Sequence, residues 1–309
     1  MVASVTAPGG GELAYEVWGD PKGHPVFLMH GTPGSRLGPR PRTFDLHKLG
    51  IRLIAYDRPG YGDSERHEGR SVADAAKDVL AVAEAVGIAG RYSVVGRSGG
   101  GPHALACAAR TPERVASVAA VVSVAPPVEG FDWLAGMAES NVSTYTLIKD
   151  HHPDLSQLGK VLARSAEDIR RNPSSLLTSL NEEMPTADRL VVADAEIRRL
   201  LLRNYLSAVG EFTDTSEDPP HPTGWIDDLV AFRKPWGFQP QSIQKDVPVL
   251  LWHGEHDVFA PLSHFHWLAD NIPGATAVLQ PSVAHFSALP ALLPILAWVR
   301  DRAEPNFQR

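Results

Sequence analysis

A chain of 309 residues with 43% hydrophobic side chains can bury one large core together with an insertion. A formal charge of −7, with no run of Lys or Arg, gives no electrostatic reason to expect a nucleic-acid partner. The single cysteine, Cys107, excludes an internal disulfide, and its place in a small-residue stretch reads as core. Residues 1–10 show neither a basic n-region nor an apolar h-region, and no apolar run approaches the roughly 20 residues of a membrane span. A cytoplasmic protein without a membrane partner is expected.

The first strand is predicted at Leu13–Trp18 and the second at Val26–Met29. The second ends in His30-Gly31-Thr32-Pro33-Gly34, a Gly/Pro turn whose backbone N–H groups can face a ligand. Pro33 has no N–H, so Thr32 would be the donor. A third strand at Arg52–Tyr56 is followed by a helix that Ser71 can cap, with Val72, Ala75, Val79, Val82 and Val86 at helical spacing and Gly87 as its stop. Ser93–Val95 then runs into Gly96-Arg97-Ser98-Gly99-Gly100 and a helix of small residues, and a further strand is predicted at Val118–Val124. Strand, Gly-x-Ser-x-Gly and helix in that order are the signature of a nucleophile elbow, a strained turn that exposes the serine hydroxyl. The Gly99 N–H would be a second donor for a developing oxyanion. Arg97 reads first as a salt-bridge partner of a neighbouring loop and second as a partner for a substrate carboxylate.

The strand–helix alternation implies a mostly parallel sheet covered on both faces. It breaks after Ala125-Pro126-Pro127, and residues 128–246 read as helical. Ser156–Arg171 gives one helix; Leu190, Ala193, Ile197, Leu201 and Ala208 give the stripe of another between Pro185 and Gly210. Asp218-Pro219-Pro220-His221-Pro222 marks a break before a last helical stretch, Trp225–Lys234. Residues 128–246 are therefore expected to cap a core made of 1–127 and 247–309. Phe131, Trp133 and Trp225 are the expected substrate-binding residues of this cap. Trp225, Phe232, Trp236 and Phe238 either line an apolar pocket or glue cap to core, with glue the better reading. His151-His152 reads as a surface pair, because no further ligand stands at metal-binding spacing.

Strands resume at Val247, in a buried-strand pattern that ends in a polar turn with Asp257 just past the strand; Ala275–Leu279 follows, with His285 beyond it. A serine hydroxyl needs a base within hydrogen-bond reach, and that base needs a carboxylate to fix its tautomer. His285 is preferred over His253, His256, His264 and His266 because it follows the last strand, and Glu129 and Asp132 are reserve carboxylates to Asp257.

These segments together resemble the α/β-hydrolase superfamily in its serine branch. The resemblance rests on His30–Gly34, Asp57-Arg58-Pro59-Gly60-Tyr61-Gly62-Asp63-Ser64, Gly96–Gly100, and the Asp257 and His285 segments, in that order along nearly the whole chain. It implies an α/β-hydrolase fold with an inserted helical cap, and Ser98, Asp257 and His285 as a triad with Thr32 and Gly99 as oxyanion donors. Ser98 argues against the branches with an aspartate nucleophile; Gly99, where the prolyl-aminopeptidase branch carries Trp, argues against peptidase activity. The expected reaction is hydrolysis of an ester, lactone or thioester of a small, largely apolar molecule, without metal or cofactor. Carbon–carbon bond hydrolysis, acyl transfer or cyclisation by the same residues, or a binding protein that has abandoned turnover, remain as alternatives.

Overall fold

The computed structural model describes residues 2–148, 155–210 and 222–303. The strands are β1 (Ala3–Thr6), β2 (Glu12–Gly19), β3 (His24–Met29), β4 (Ile51–Tyr56), β5 (Tyr92–Arg97), β6 (Val115–Val121), β7 (Val249–Gly254) and β8 (Thr276–Gln280). They form one eight-stranded sheet in the order β1-β2-β4-β3-β5-β6-β7-β8. The β1/β2 and β2/β4 pairs are antiparallel and every later pair is parallel. Helices α1 (Thr43–Lys48), α2 (Ala75–Ala85) and α3 (Gly100–Arg110) accompany the first six strands. Among the described residues, six helices lie between β6 and β7: α4 (Glu139–Tyr145), α5 (Leu155–Arg171), α6 (Ser175–Leu180), α7 (Thr186–Ala193), α8 (Ala195–Val209) and α9 (Thr223–Phe232). α10 (Leu262–Asn271) follows β7 and α11 (Leu292–Ala303) follows β8.

Because successive strand side chains point to opposite faces, each central strand feeds two cores. Val26 and Leu28 of β3 join Leu46 of α1 and Leu296 and Val299 of α11. Phe27 and Met29 join Val79 and Val82 of α2, Leu105 of α3 and Phe265 of α10 on the other face. The first of these cores runs on without a break into the cap through Leu201, Tyr205, Trp225 and Phe232. At about 1.5–3 kcal/mol for each fully buried large apolar side chain, that shared core fixes the cap on the sheet. Among the described residues no helix is long and apolar enough to cross a membrane.

The α/β architecture matches the expectation, and several boundaries differ. β6 starts three residues earlier than predicted and stops at Val121, because Val122 turns to φ +46 and leaves the strand. β1 was not anticipated; it is a short, mostly exposed edge strand and carries little hydrophobic signal. The stripe between Pro185 and Gly210 is two helices, broken at Asp194, whose carboxylate accepts the Glu196 and Ile197 N–H groups as the cap of α8. An aspartate that bonds two N–H groups ahead of it outcompetes helix continuation at that point. The helix expected after Ser71 is a short 3₁₀ turn leading into α2, with Asp74 accepting from the Ser71 N–H at 2.9 Å and hydroxyl at 2.8 Å. His151-His152 and most of the Pro-rich break lie outside the described residues.

Candidate active site

The elbow follows from backbone restraint. Ser98 sits at the carboxyl end of β5 with φ +54, a left-handed conformation that costs energy in a non-glycine residue. Its N–H donates to Val121 O at 2.8 Å and its carbonyl accepts the Gly101 N–H at 2.8 Å, so the turn is held by β6 on one side and α3 on the other. Gly96 lets α3 pass: a Cβ there would stand 2.8 Å from the Ala104 Cβ.

Ser98 Oγ lies 2.9 Å from His285 Nε2, and His285 Nδ1 lies 2.8 Å from Asp257 Oδ2. Asp257 is also the turn residue that its sequence suggests, since its Oδ1 accepts the Phe259 and Ala260 N–H groups at 2.8 Å each. One oxygen shapes the loop after β7 and the other holds the imidazole. Burial pushes the Asp257 carboxyl up, but His285 and the hydrogen bonds outweigh it, and the carboxyl stays below its ordinary range. The Phe259 and Phe286 rings stand edge-on to the imidazole at 5.5 and 5.6 Å. Of the competing histidines, His253 lies 3.7 Å from Asp257 Oδ2 but its Nε2 is bonded to Ala260 O at 2.8 Å; His264 spans Ala125 N and Trp133 O, and His256 and His266 are exposed. Glu129 and Asp132 are exposed as well.

Thr32 and Gly99 border the same cavity as Ser98 and His285. The loop that carries Thr32 is anchored by a buried ionic cluster. Asp228 of α9, wholly buried, accepts from Thr32 Oγ1 at 2.5 Å, Tyr61 Oη at 2.9 Å, and Arg58 and Arg70 Nη2 at 2.6 Å each. Arg58 also donates to the carbonyls of His30 and Gly31. Burial raises the Asp228 carboxyl, but Arg58 and Arg70 overcome it and hold it well below the usual carboxylate range. His103 lies 3.7 Å from Asp228, and burial together with Arg58 pushes it down to about 3, so it is neutral.

The cavity measures about 250 Å³ and is closed from the cap side by side chains that include Leu162, Leu201, Trp225, Leu229 and Phe232. Of the expected substrate-binding residues, Trp225 lines it and Phe131 and Trp133 do not. Phe131 packs edge-on against His264, with centroids 5.1 Å apart, and Trp133 donates Nε1–H to Ala125 O at 2.6 Å and packs on Tyr145. A buried indole goes where its N–H finds an acceptor, and here that acceptor lies behind the wall. The four aromatics around α9 divide: Trp225 and Phe232 face the cavity, whereas Trp236, 1% exposed, stacks near Phe238 at 5.8 Å. Arg97 forms no salt bridge among the described residues, contrary to the first expectation; its Nη2 donates to His285 O at 2.9 Å. Arg58, Asp188 and Asp228 did not stand out in the sequence. The available signals were the Asp57-Arg58-Pro59 turn and the acidic pair Asp227-Asp228 inside an otherwise apolar helix.

Residues 24–291 match the family described as alpha/beta hydrolase fold. A non-heme chloroperoxidase of Streptomyces lividans is 35% identical over 84% of this chain and 84% of its own. A bifunctional esterase/perhydrolase of Acinetobacter calcoaceticus is 33% identical over 83% of each chain. Among solved structures, a bromoperoxidase from Bacillus anthracis superposes with a TM-score of 0.67 over 97% of this chain and all of its own at 20% identity. With the family match spanning most of the chain, and a sheet, elbow and cap of this form, the protein belongs to the α/β-hydrolase family.

Proposed function

We propose that the protein is a serine hydrolase that cleaves the ester, lactone or thioester of a small, largely apolar acid. The observation that carries this reading is the chain Ser98 Oγ–His285–Asp257, with links of 2.9 and 2.8 Å, bordering a cavity lined by both core and cap residues. On this reading residues 1–127 and 247–309 form the catalytic core and 128–246 the cap. Ser98 Oγ attacks the carbonyl carbon while His285 Nε2 takes its proton, and Asp257 stabilises the imidazolium. The Thr32 and Gly99 N–H groups hold the oxyanion, and His285 then gives the proton to the departing alkoxide or thiolate. Water, deprotonated by His285, attacks the acyl-enzyme and releases the acid and Ser98.

The cavity supports a small apolar acyl group. Its volume of about 250 Å³ lies just below the range of small-molecule sites, about 300–1,000 Å³. Hydroxyls in the cap wall spend their protons on their own helices: Thr144 on Ser140 O at 2.8 Å, Ser179 on Leu176 O at 2.9 Å. Asn204, Tyr145 and Tyr205 add polar groups to the same wall, whose larger share is apolar. Esterase activity in the 33% identical relative, and in a 27% identical pimeloyl-[acyl-carrier protein] methyl ester esterase of Nitrosomonas europaea covering 76% of this chain and 78% of its own, supports the ester class.

The reading is tested with p-nitrophenyl esters of increasing acyl length. Wild type is expected to hydrolyse short esters fastest, and Trp225→Ala to move the optimum to longer chains by opening the wall, whereas Phe131→Ala leaves the order of rates unchanged. An unchanged order in Trp225→Ala would remove Trp225 from the acyl pocket. Gly99→Ala probes the oxyanion donors. A Cβ there would stand 2.8 Å from the Thr32 Cβ and 3.0 Å from Phe232 Cζ, so the Thr32 loop must shift. Loss of one oxyanion donor costs about 10²–10³ in turnover, and kcat of Gly99→Ala is expected to fall in that range with the fold retained. A kcat within twofold of wild type would contradict the assignment.

A further inference from the structure

We infer that Asp188, a carboxylate of cap helix α7, is a positioning residue for His285; the inference rests on the reading of His285 as the base. Asp188 is wholly buried. Its Oδ2 accepts the backbone N–H of His285 itself at 3.1 Å. Its Oδ1 accepts the Ser287 N–H at 2.7 Å and the Ser287 hydroxyl at 2.9 Å, and Ser287 Oγ in turn accepts the Ala284 N–H at 2.6 Å. One cap side chain thus gathers the main chain on both sides of the base. From the opposite side the Arg97 guanidinium, next to the nucleophile, donates to the His285 carbonyl.

Asp188 and Arg97 carry opposite charges, yet neither forms an ion pair among the described residues, and Arg97 Nε is buried without a partner. Isolated buried charges are costly. Here each is answered by the backbone of residue 285, so the polar groups flanking the base lie between a buried anion and a buried cation. Charge-assisted bonds of this kind are stronger than neutral ones and hold direction as well as distance. Asp257 fixes the ring of His285, but a ring bond leaves the main chain free to slide. Asp188 supplies the missing restraint, and it does so from the cap. The cap is therefore part of the catalytic geometry, and α7 stays docked on the base loop during turnover.

The test compares Asp188→Ala, Asp188→Asn and, as a control, Glu196→Gln, which weakens another cap–core contact, the exposed Arg42–Glu196 pair at 2.7 Å. Two quantities are read: the rate at which a fluorophosphonate labels Ser98, and kcat and KM on p-nitrophenyl butyrate. A displacement of about 1 Å in a reacting group costs up to about 10²-fold. Asp188→Ala is expected to lower labelling and kcat together by about 10–100-fold, with KM within twofold of wild type. Asp188→Asn, which keeps the volume but replaces one acceptor oxygen by an NH₂ facing an N–H, is expected to fall between the two. Glu196→Gln is expected to label at the wild-type rate. Folded Asp188→Ala that labels at the wild-type rate, or a loss confined to KM, would overturn the inference. Should Asp188→Ala fail to fold, a wild-type labelling rate in Asp188→Asn would do the same. Failure of the wild-type protein to label at all contradicts the serine mechanism itself and is distinguished from these outcomes.

Discussion

Replacing Ser98 by alanine is expected to remove nearly all ester turnover and to leave the fold and thermal midpoint close to wild type. The hydroxyl contributes one hydrogen bond, to His285 Nε2, while the elbow itself is held by backbone bonds from Ser98 N to Val121 O and from Gly101 N to Ser98 O. Alanine keeps both backbone bonds, although its Cβ must still occupy φ +54. In another serine hydrolase, loss of the nucleophile costs about 10⁶-fold in kcat, with residual catalysis from the oxyanion donors and substrate binding. A loss of roughly that order on p-nitrophenyl butyrate, with the circular dichroism spectrum and melting midpoint unchanged, is the expected result. Turnover within tenfold of wild type would require a different nucleophile.

The largest effect on stability is expected at Asp228. Truncation to alanine leaves Arg58 and Arg70, both almost wholly buried, without their shared carboxylate. Removing one member of a buried ionic cluster costs about 3–5 kcal/mol, because the remaining charges are left uncompensated. For a domain of this size that corresponds to a fall in melting midpoint of about 10 °C. Turnover should fall as well, since Thr32 Oγ1 loses its acceptor and the Arg58 guanidinium that holds the Gly31 carbonyl loses its counter-ion. The pH dependence has a defined sign. The Asp228 carboxyl is held well below its ordinary value in the folded protein, whereas in the unfolded chain it titrates at about 3.9. Its stabilisation is therefore fully present above that unfolded value and is lost as pH falls toward the folded one. The gap in melting midpoint between wild type and Asp228→Asn should be constant from pH 6 to 8 and narrow below about pH 4. Equal midpoints at pH 7 would contradict a stabilising role for this cluster.

The contrast between Ser98 and Asp228 shows which features are legible in a sequence. Ser98, Asp257 and His285 each stand just beyond a predicted strand, and strand ends in a parallel sheet converge on one rim. Local patterns therefore suffice to bring the three together. The Thr32 turn is legible for the same reason. Asp188 and Asp228 belong to helices of the cap, and each acts on a loop that is far away in the chain: Asp188 on His285, Asp228 on Thr32. No periodicity encodes such pairings. Arg97 is conspicuous inside the elbow, but its acceptor is a backbone carbonyl, which no pattern of oppositely charged residues encodes. Residue type alone points Phe131 and Trp133 to the cavity, yet aromatic residues serve cavity walls and the packing behind them equally well. At Asp194 a local signal prevails over the pattern: the apolar stripe continues through it, while its carboxylate caps the helix that starts there.

The nucleophilic role of Ser98, activated by His285, is tested most directly by intact-mass analysis after brief exposure to a fluorophosphonate at neutral pH. The nucleophile displaces fluoride from phosphorus, so the reaction depends on an activated serine and on no particular substrate. A single adduct in wild type, mapped to the peptide containing Ser98, and loss of that adduct in Ser98→Ala with strongly slowed formation in His285→Ala, is the predicted result. An unmodified wild-type protein, or an adduct that persists in Ser98→Ala, would contradict it.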